Sequence, residues 1–127
     1  MAKIMIVDDD PFARRLMRDC LRLCGEEFEI FEVDRGKLAL ELLAVERPDL
    51  VLLDISMPEV GGIPVCAEIK GNPATADIAI IVVSAHADNE FIADALASGA
   101  SDFVPKPFQP NDLVRRVKRA LEARVPA

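Results

Sequence analysis

The chain has no tryptophan and no tyrosine, and only one histidine and three cysteines among its 127 residues. All six aromatic residues are phenylalanine, yet half the chain is hydrophobic, so the core has to be built from Ile, Val, Leu and Ala. Three cysteines, an odd number set among apolar helical residues, argue against a disulfide framework. Cys20 and Cys24 stand one helical turn apart, but no second Cys/His pair completes a zinc site. They read as small apolar side chains against the core. Long hydrophobic runs are also missing. After Met1-Ala2-Lys3 only four apolar residues precede Asp8, which is neither a signal peptide nor a membrane span, and the expectation is a cytoplasmic protein. Positive charge is in deficit: 15 cations against 22 acids give −7. That balance disfavours binding to nucleic acid, which depends on neutralising phosphates. No repeat, low-complexity tract or linker divides the chain. Residues 1–127 are read as one domain, long enough to bury a core without disulfides.

What is present is a regular alternation of two hydrophobic periods. Short runs rich in Ile and Val at Lys3–Val7, Phe28–Val33, Leu50–Leu53, Ile78–Val83 and Ser101–Val104 have the length and β-branched content of strands. Amphipathic stretches separate them. The first, Pro11–Cys24, has Asp10 as N-cap and Pro11 in the first turn. Phe12, Leu16, Cys20, Leu23 and Cys24 form its apolar stripe, and Gly25 is placed to end it. The second runs from Gly36 to Glu46, with Leu38, Leu42 and Val45 on one side and Pro48 barring its continuation. A third helix is expected from about Ile63 or Pro64 to Lys70, a fourth after Asp88 as far as Gly99, and a fifth from about Pro110. The fifth carries the stripe Leu113, Val114, Val117 and Leu121. Its cations, Arg115, Arg116, Lys118, Arg119 and Arg124, read as a solvated face rather than a binding patch. Five β-α units in succession predict an α/β fold, a parallel sheet with helices on both faces.

The polar residues fall at the ends of the strands. The first run leads into Asp8-Asp9-Asp10, the third ends at Asp54, the fourth at Ser84, and Lys106 follows the fifth. In a parallel sheet these ends share one edge, where open α/β sheets bind ligands. Carboxylates, a hydroxyl and an ammonium should therefore converge there. Crowded carboxylates repel, and a hard divalent cation relieves them. Oxygen-only ligands point to Mg2+, with Mn2+ able to substitute. A metal, a lysine and an acceptor carboxylate are the parts that phosphoryl transfer needs. Taken singly, each residue has a plainer reading: a capping loop for Asp8-Asp9-Asp10, a strand-end hydroxyl for Ser84, a surface ammonium for Lys106. The joint placement favours the site.

These residues resemble a known family, the receiver domain of bacterial two-component response regulators, single-domain chemotaxis-regulator type, over essentially the whole chain. The matching segments are Ile4–Asp10, Pro48–Pro58, Gly61-Gly62, Val83-Ser84-Ala85, Gly99-Ala100 and Lys106-Pro107-Phe108. The resemblance implies a flavodoxin-like, doubly wound five-stranded sheet of order 2-1-3-4-5 with five helices in three α/β/α layers. It implies that Asp54 is the phosphoacceptor. Asp9 binds the metal directly and Asp8 mainly through water, with Asp54 and the backbone carbonyl of Ser56 completing the protein's ligands. Ser84 bonds a phosphoryl oxygen and Lys106 pairs with the phosphate. Phe103 is the aromatic that changes rotamer as Ser84 moves, although simple core packing would equally account for a strand phenylalanine. The Lys106–Pro107 peptide is expected to be cis. Ser in place of the commoner Thr at position 84, and Phe in place of Tyr at 103, are the departures. Ser56 and His86, each two residues beyond a site residue, are expected to rim the site, and His86 to influence dephosphorylation.

On this resemblance the chain is a self-phosphorylating and self-dephosphorylating switch rather than an enzyme with a separate substrate. Its donor is a phosphohistidine on a sensor histidine kinase or histidine phosphotransfer protein. Its output surface is the face of the fourth helix, fifth strand and fifth helix, which contacts a downstream protein or a second copy of the chain. The sequence carries no output module after the fifth helix, so the signal is expected to pass by protein contact, without direct nucleic-acid or membrane binding, unless the chain is a piece excised from a larger regulator. Three other readings compete. A magnesium phosphatase with an aspartyl nucleophile would typically carry a second acid where Ser56 stands, and it gives Lys106-Pro107 no role. A nucleotide-binding module would need a Gly-x-x-x-x-Gly-Lys loop, which does not follow the first strand. A receiver-like domain that works unphosphorylated would not need the full set of site residues.

Overall fold

The computed structural model describes residues 1–55, 61–86 and 88–123. Strands and helices alternate: β1 (Ala2–Val7), α1 (Pro11–Arg22), β2 (Phe28–Val33), α2 (Gly36–Glu46), β3 (Leu50–Leu53), α3 (Gly62–Gly71), β4 (Ala79–Ser84), α4 (Asn89–Ala97), β5 (Asp102–Pro105) and α5 (Pro110–Ala123). The five strands form one parallel sheet in the order β2-β1-β3-β4-β5. β3 and β4 are buried along their whole length, which explains their unbroken apolar runs.

Alternation along each strand sorts the core into two layers. Met5, Val7, Val51, Leu53, Ile80, Val82 and Phe103 face the layer supplied by α2, α3 and α4. Ile4, Ile6, Leu50, Leu52, Ile81, Val83 and Val104 face α1 and α5 through Met17, Leu21, Leu113 and Val117. Each fully buried Leu or Ile side chain is worth about 1.5–3 kcal/mol of transfer free energy, so these two layers carry the stability of the fold.

Local signals behave as their chemistry requires. Asp10 caps α1 by accepting from the Phe12 amide at 3.0 Å, and Asp88 caps α4 by accepting from Phe91 at 2.9 Å. Arg47, at φ 47°, closes α2 just before Pro48.

Two apolar stripes differ from the sequence expectation. α1 buries Ala13, Met17, Cys20 and Leu21, while Phe12, Leu16 and Leu23 face solvent, Leu23 at 86% exposure. Both stripes have helical spacing, so the period alone does not choose between them. The one chosen puts small Ala13, not Phe12, against the sheet in the first turn. In α2 the buried residues are Gly36, Ala39 and Leu43. Leu38 and Leu42 are half-buried against the same layer, but Val45 is exposed. That helix is apolar around most of its circumference, which blurs its amphipathic period.

The thiols are free, and they differ in access. Cys20 and Cys66 are buried and Cys24 is half-buried. Burial pushes the Cys20 and Cys66 thiols up, with a side-chain interaction with Ser98 partly opposing the shift at Cys66. A thiol reagent at mildly alkaline pH should therefore modify Cys24 first in the folded protein, with Cys20 and Cys66 reacting only on denaturation. Peptide mapping of the alkylated protein checks this, and equal labelling of Cys66 would contradict it.

Candidate functional site

The strand register brings the polar residues together. Val7 of β1 lies abreast of Leu53 of β3, so the next residues, Asp8 and Asp54, leave the sheet side by side. Ser84 lies abreast of Pro105, which puts Lys106 one step beyond the edge. Alternation then sets direction: Asp8, Asp54 and Lys106 continue the columns that begin with Ile6, Leu52 and Val104 on the α1/α5 side. Ser84 continues the column of Ile80 and Val82, the face that also holds Phe103.

Backbone bonds fix the junctions. The Asp8 amide donates to the Val33 carbonyl at 3.1 Å, the Asp54 amide to Val7 at 3.0 Å and the Lys106 amide to Ser84 at 2.9 Å. Asp8 is fully buried, Asp54 and Ser84 nearly so, and Asp9 is exposed. The Lys106 ammonium donates to Asp8 Oδ2 at 2.7 Å and lies 3.7 Å from Asp54 Oδ2. Asp8 Oδ1 accepts from the Asp10 amide at 2.9 Å. Carboxylate oxygens of Asp8, Asp9 and Asp54 all lie within 4.8 Å of one another, a group that could hold a metal ion. Three carboxylates and one ammonium leave two negative charges in excess in a largely buried crevice. At this spacing in a low-dielectric setting that repulsion is costly unless a cation enters. All the donors are oxygens, and the exposed Asp9 leaves one side open to water, as a small hard divalent cation prefers.

The other expected residues are placed as follows. Ser84 Oγ accepts from the His86 amide at 3.2 Å. His86 is exposed, with its ring 3.9 Å from that of Phe91 and Nε2 3.6 Å from Asp88 Oδ2. Phe103 is buried in the layer shared with Ala95 of α4, and its carbonyl accepts from Arg116 at 3.3 Å. The Lys106–Pro107 peptide is cis. Ser56 and Arg124 lie outside the described residues.

Three further residues shape the site. The amide of Gly62, the first residue of α3, donates to Ile55 at 2.9 Å, and a Cβ at Gly62 would stand 2.1 Å from the Asp54 carbonyl oxygen. Arg14 donates to the Asp8 carbonyl at 2.6 Å and to Glu32 Oε1 at 3.3 Å. Sequence reading missed Arg14 and Glu32. The available signal was position: Arg14 is one helical turn past the Asp10 cap, and Glu32 is next to last in the neighbouring strand.

The model of the response regulator receiver domain matches residues 4–118. The chain belongs to that family of two-component signalling domains. It is 39% identical over 119 residues to the chemotaxis protein CheY of Bacillus subtilis, covering 94% of this chain and 97% of that one. The DNA-binding response regulator MtrA of Mycolicibacterium smegmatis is also 39% identical over 119 residues, covering 94% of this chain but 50% of MtrA. The chain thus spans about half the length of the MtrA relatives it matches. A crystal structure described as a response regulator from Chloroflexus aurantiacus superposes with a TM-score of 0.90 at 30% identity, covering 95% of this chain and 98% of that one. Among the described residues no helix is long and apolar enough to cross a membrane.

The tight approach of α3 to the Asp54 backbone gives a test of packing. Gly62→Ala forces a side chain into the Asp54 backbone and should cost about 1–3 kcal/mol or more of stability, as overpacking of a dense core does. Urea denaturation checks the value, and an unchanged midpoint would show that the approach is not tight.

Proposed function

We infer that the chain is a phosphorelay switch that accepts a phosphoryl group on Asp54 in a Mg2+-dependent reaction. One observation carries the reading: oxygens of Asp8, Asp9 and Asp54 meet in one crevice while the Lys106 ammonium reaches both Asp8 and Asp54. Asp8, Asp9 and Asp54, with the Ser56 carbonyl, would hold the metal, and Mn2+ would substitute. A bound ion would supply charge neutralisation at the phosphoryl oxygens.

The chain's own residues do the rest. An Asp54 carboxylate oxygen attacks phosphorus, and an O–P bond forms as the N–P bond of a donor phosphohistidine breaks. The imidazole leaves with the bonding electron pair. Lys106, held at the crevice by Asp8, neutralises a phosphoryl oxygen as a point charge. The Ser84 hydroxyl donates to another. Hydrolysis of the acyl phosphate by water resets the switch, and His86, two residues beyond Ser84, affects the rate of that hydrolysis. No separate substrate is turned over.

The output follows from where Ser84 and Phe103 sit. They share one face of the sheet, and Phe103 packs in the same layer as α4. Arg116 of α5 ties α5 to β5 through Asp102 at 2.7 Å. A new charge beside Ser84 and Lys106 shifts the population between two arrangements of α4, β5 and α5, with Phe103 changing rotamer. The partners are a sensor histidine kinase or histidine phosphotransfer protein upstream, and downstream a protein, or a second copy, on that face. We place this receiver unit, residues 1–127, in the cytoplasm.

Incubation with acetyl phosphate and Mg2+ should add one phosphoryl group to the intact mass. Chelation of the metal should abolish the gain, and so should Asp54→Asn. Undiminished phosphorylation of Asp54→Asn would overturn the assignment.

A further inference from the structure

The acids of the crevice are not held in the same way. Asp8 is anchored at every polar group: its amide, its carbonyl and both carboxylate oxygens each have a partner. The Asp9 carboxylate is exposed and makes no hydrogen bond or ion pair with the described residues. Its position therefore depends on the backbone that carries it. The carbonyl of Asp8 and the amide of Asp9 belong to one rigid peptide plane, so anchoring the Asp8 oxygen limits where the Asp9 side chain begins.

That anchor is Arg14. Its guanidinium donates from NH1 to the Asp8 carbonyl at 2.6 Å and from Nε to Glu32 Oε1 at 3.3 Å. Glu32 is held from its other oxygen by NH1 of Arg18, at 2.6 Å. The side chains of Arg14 and Glu32 are 17% and 25% exposed, so water competes only partly for these bonds. β2, α1 and the end of β1 are thereby clamped at one point, the peptide that leads into Asp9. A planar fork can serve two acceptors in fixed directions at once, which a lysine cannot.

We propose that Arg14 is a positioning residue for the metal-binding acids, acting through the Asp8–Asp9 peptide and itself oriented by Glu32. This rests on the reading of Asp8, Asp9 and Asp54 as a Mg2+ site. Arg14 touches neither the metal nor the phosphoryl group. Its loss weakens metal binding while leaving the acceptor chemistry intact once the metal is saturating. Arg18 supplies an internal control: it pairs with the same Glu32 from the same helix and makes no bond to Asp8.

The test is calorimetric titration of the full chain with MgCl2, set beside the Mg2+ dependence of acetyl phosphate labelling. Residues that orient a metal's ligands typically cost 10–100-fold in affinity when removed. Arg14→Met is expected to raise the Mg2+ dissociation constant about tenfold, within that range. The labelling rate at saturating Mg2+ should stay within about twofold, since the acceptor and lysine are untouched. Arg18→Met should bind Mg2+ like the wild type, and Glu32→Gln should fall between the two. If Arg14→Met does not fold, Arg14→Lys replaces it, with weakening of the same sign expected. Wild-type affinity in the Arg14 variant, or equal weakening by Arg18→Met, overturns the proposal and leaves the phosphoacceptor reading standing. Absence of Mg2+ binding by the wild type overturns both.

Discussion

The site depends on one constraint, the parallel register that sets Val7 beside Leu53 and Ser84 beside Pro105. Strand pairing of this kind is fixed by buried side chains on both faces, because a slip of one residue would turn every core residue to the wrong layer. Asp8, Asp54 and Lys106 are carried past the edge by the same alternation that buries Ile6, Leu52 and Val104. The hydrophobic core thus forces together two carboxylates that would separate in a free chain. The repulsion remains at the crevice, partly offset by Lys106. On the proposed function, a cation and then a phosphoryl group would occupy this place.

The two layers of the sheet have different tasks. The α1/α5 side supplies the charged groups and the clamp on them, through the Asp10 cap and the contact of Arg14 with the Asp8 carbonyl. The α2/α3/α4 side holds Ser84 and Phe103 next to α4. On the proposed function, a change of charge at the strand ends would be felt by α4, which packs on the Ser84 and Phe103 side, and by α5, which Arg116 ties to β5. Close packing transmits such a change because an interior this dense cannot absorb it locally.

Most of this was legible in the sequence. The alternation of runs predicted the five-unit α/β fold, and the strand-end positions of Asp8, Asp54, Ser84 and Lys106 marked the crevice. The strand order came from the family resemblance and not from spacing, since periodicity carries no information about which strands are neighbours. The buried faces of α1 and α2 were harder to read. Both helices carry apolar residues on more than one side, and the choice between stripes depends on how closely the first turn approaches the sheet. Arg14 and Glu32 escaped notice because an arginine and a glutamate 18 residues apart look like ordinary surface charges until β1 and β2 are paired.

The central claim is that the acids at this edge form a divalent cation site around Asp54. Backbone amide NMR during titration with MgCl2 tests it most directly. The account predicts saturable shifts concentrated at Asp8, Asp9, Asp54 and the residues that flank them, with little change at the amino-terminal ends of the strands. Shifts scattered over the acidic surface, or none at Asp54, would contradict it.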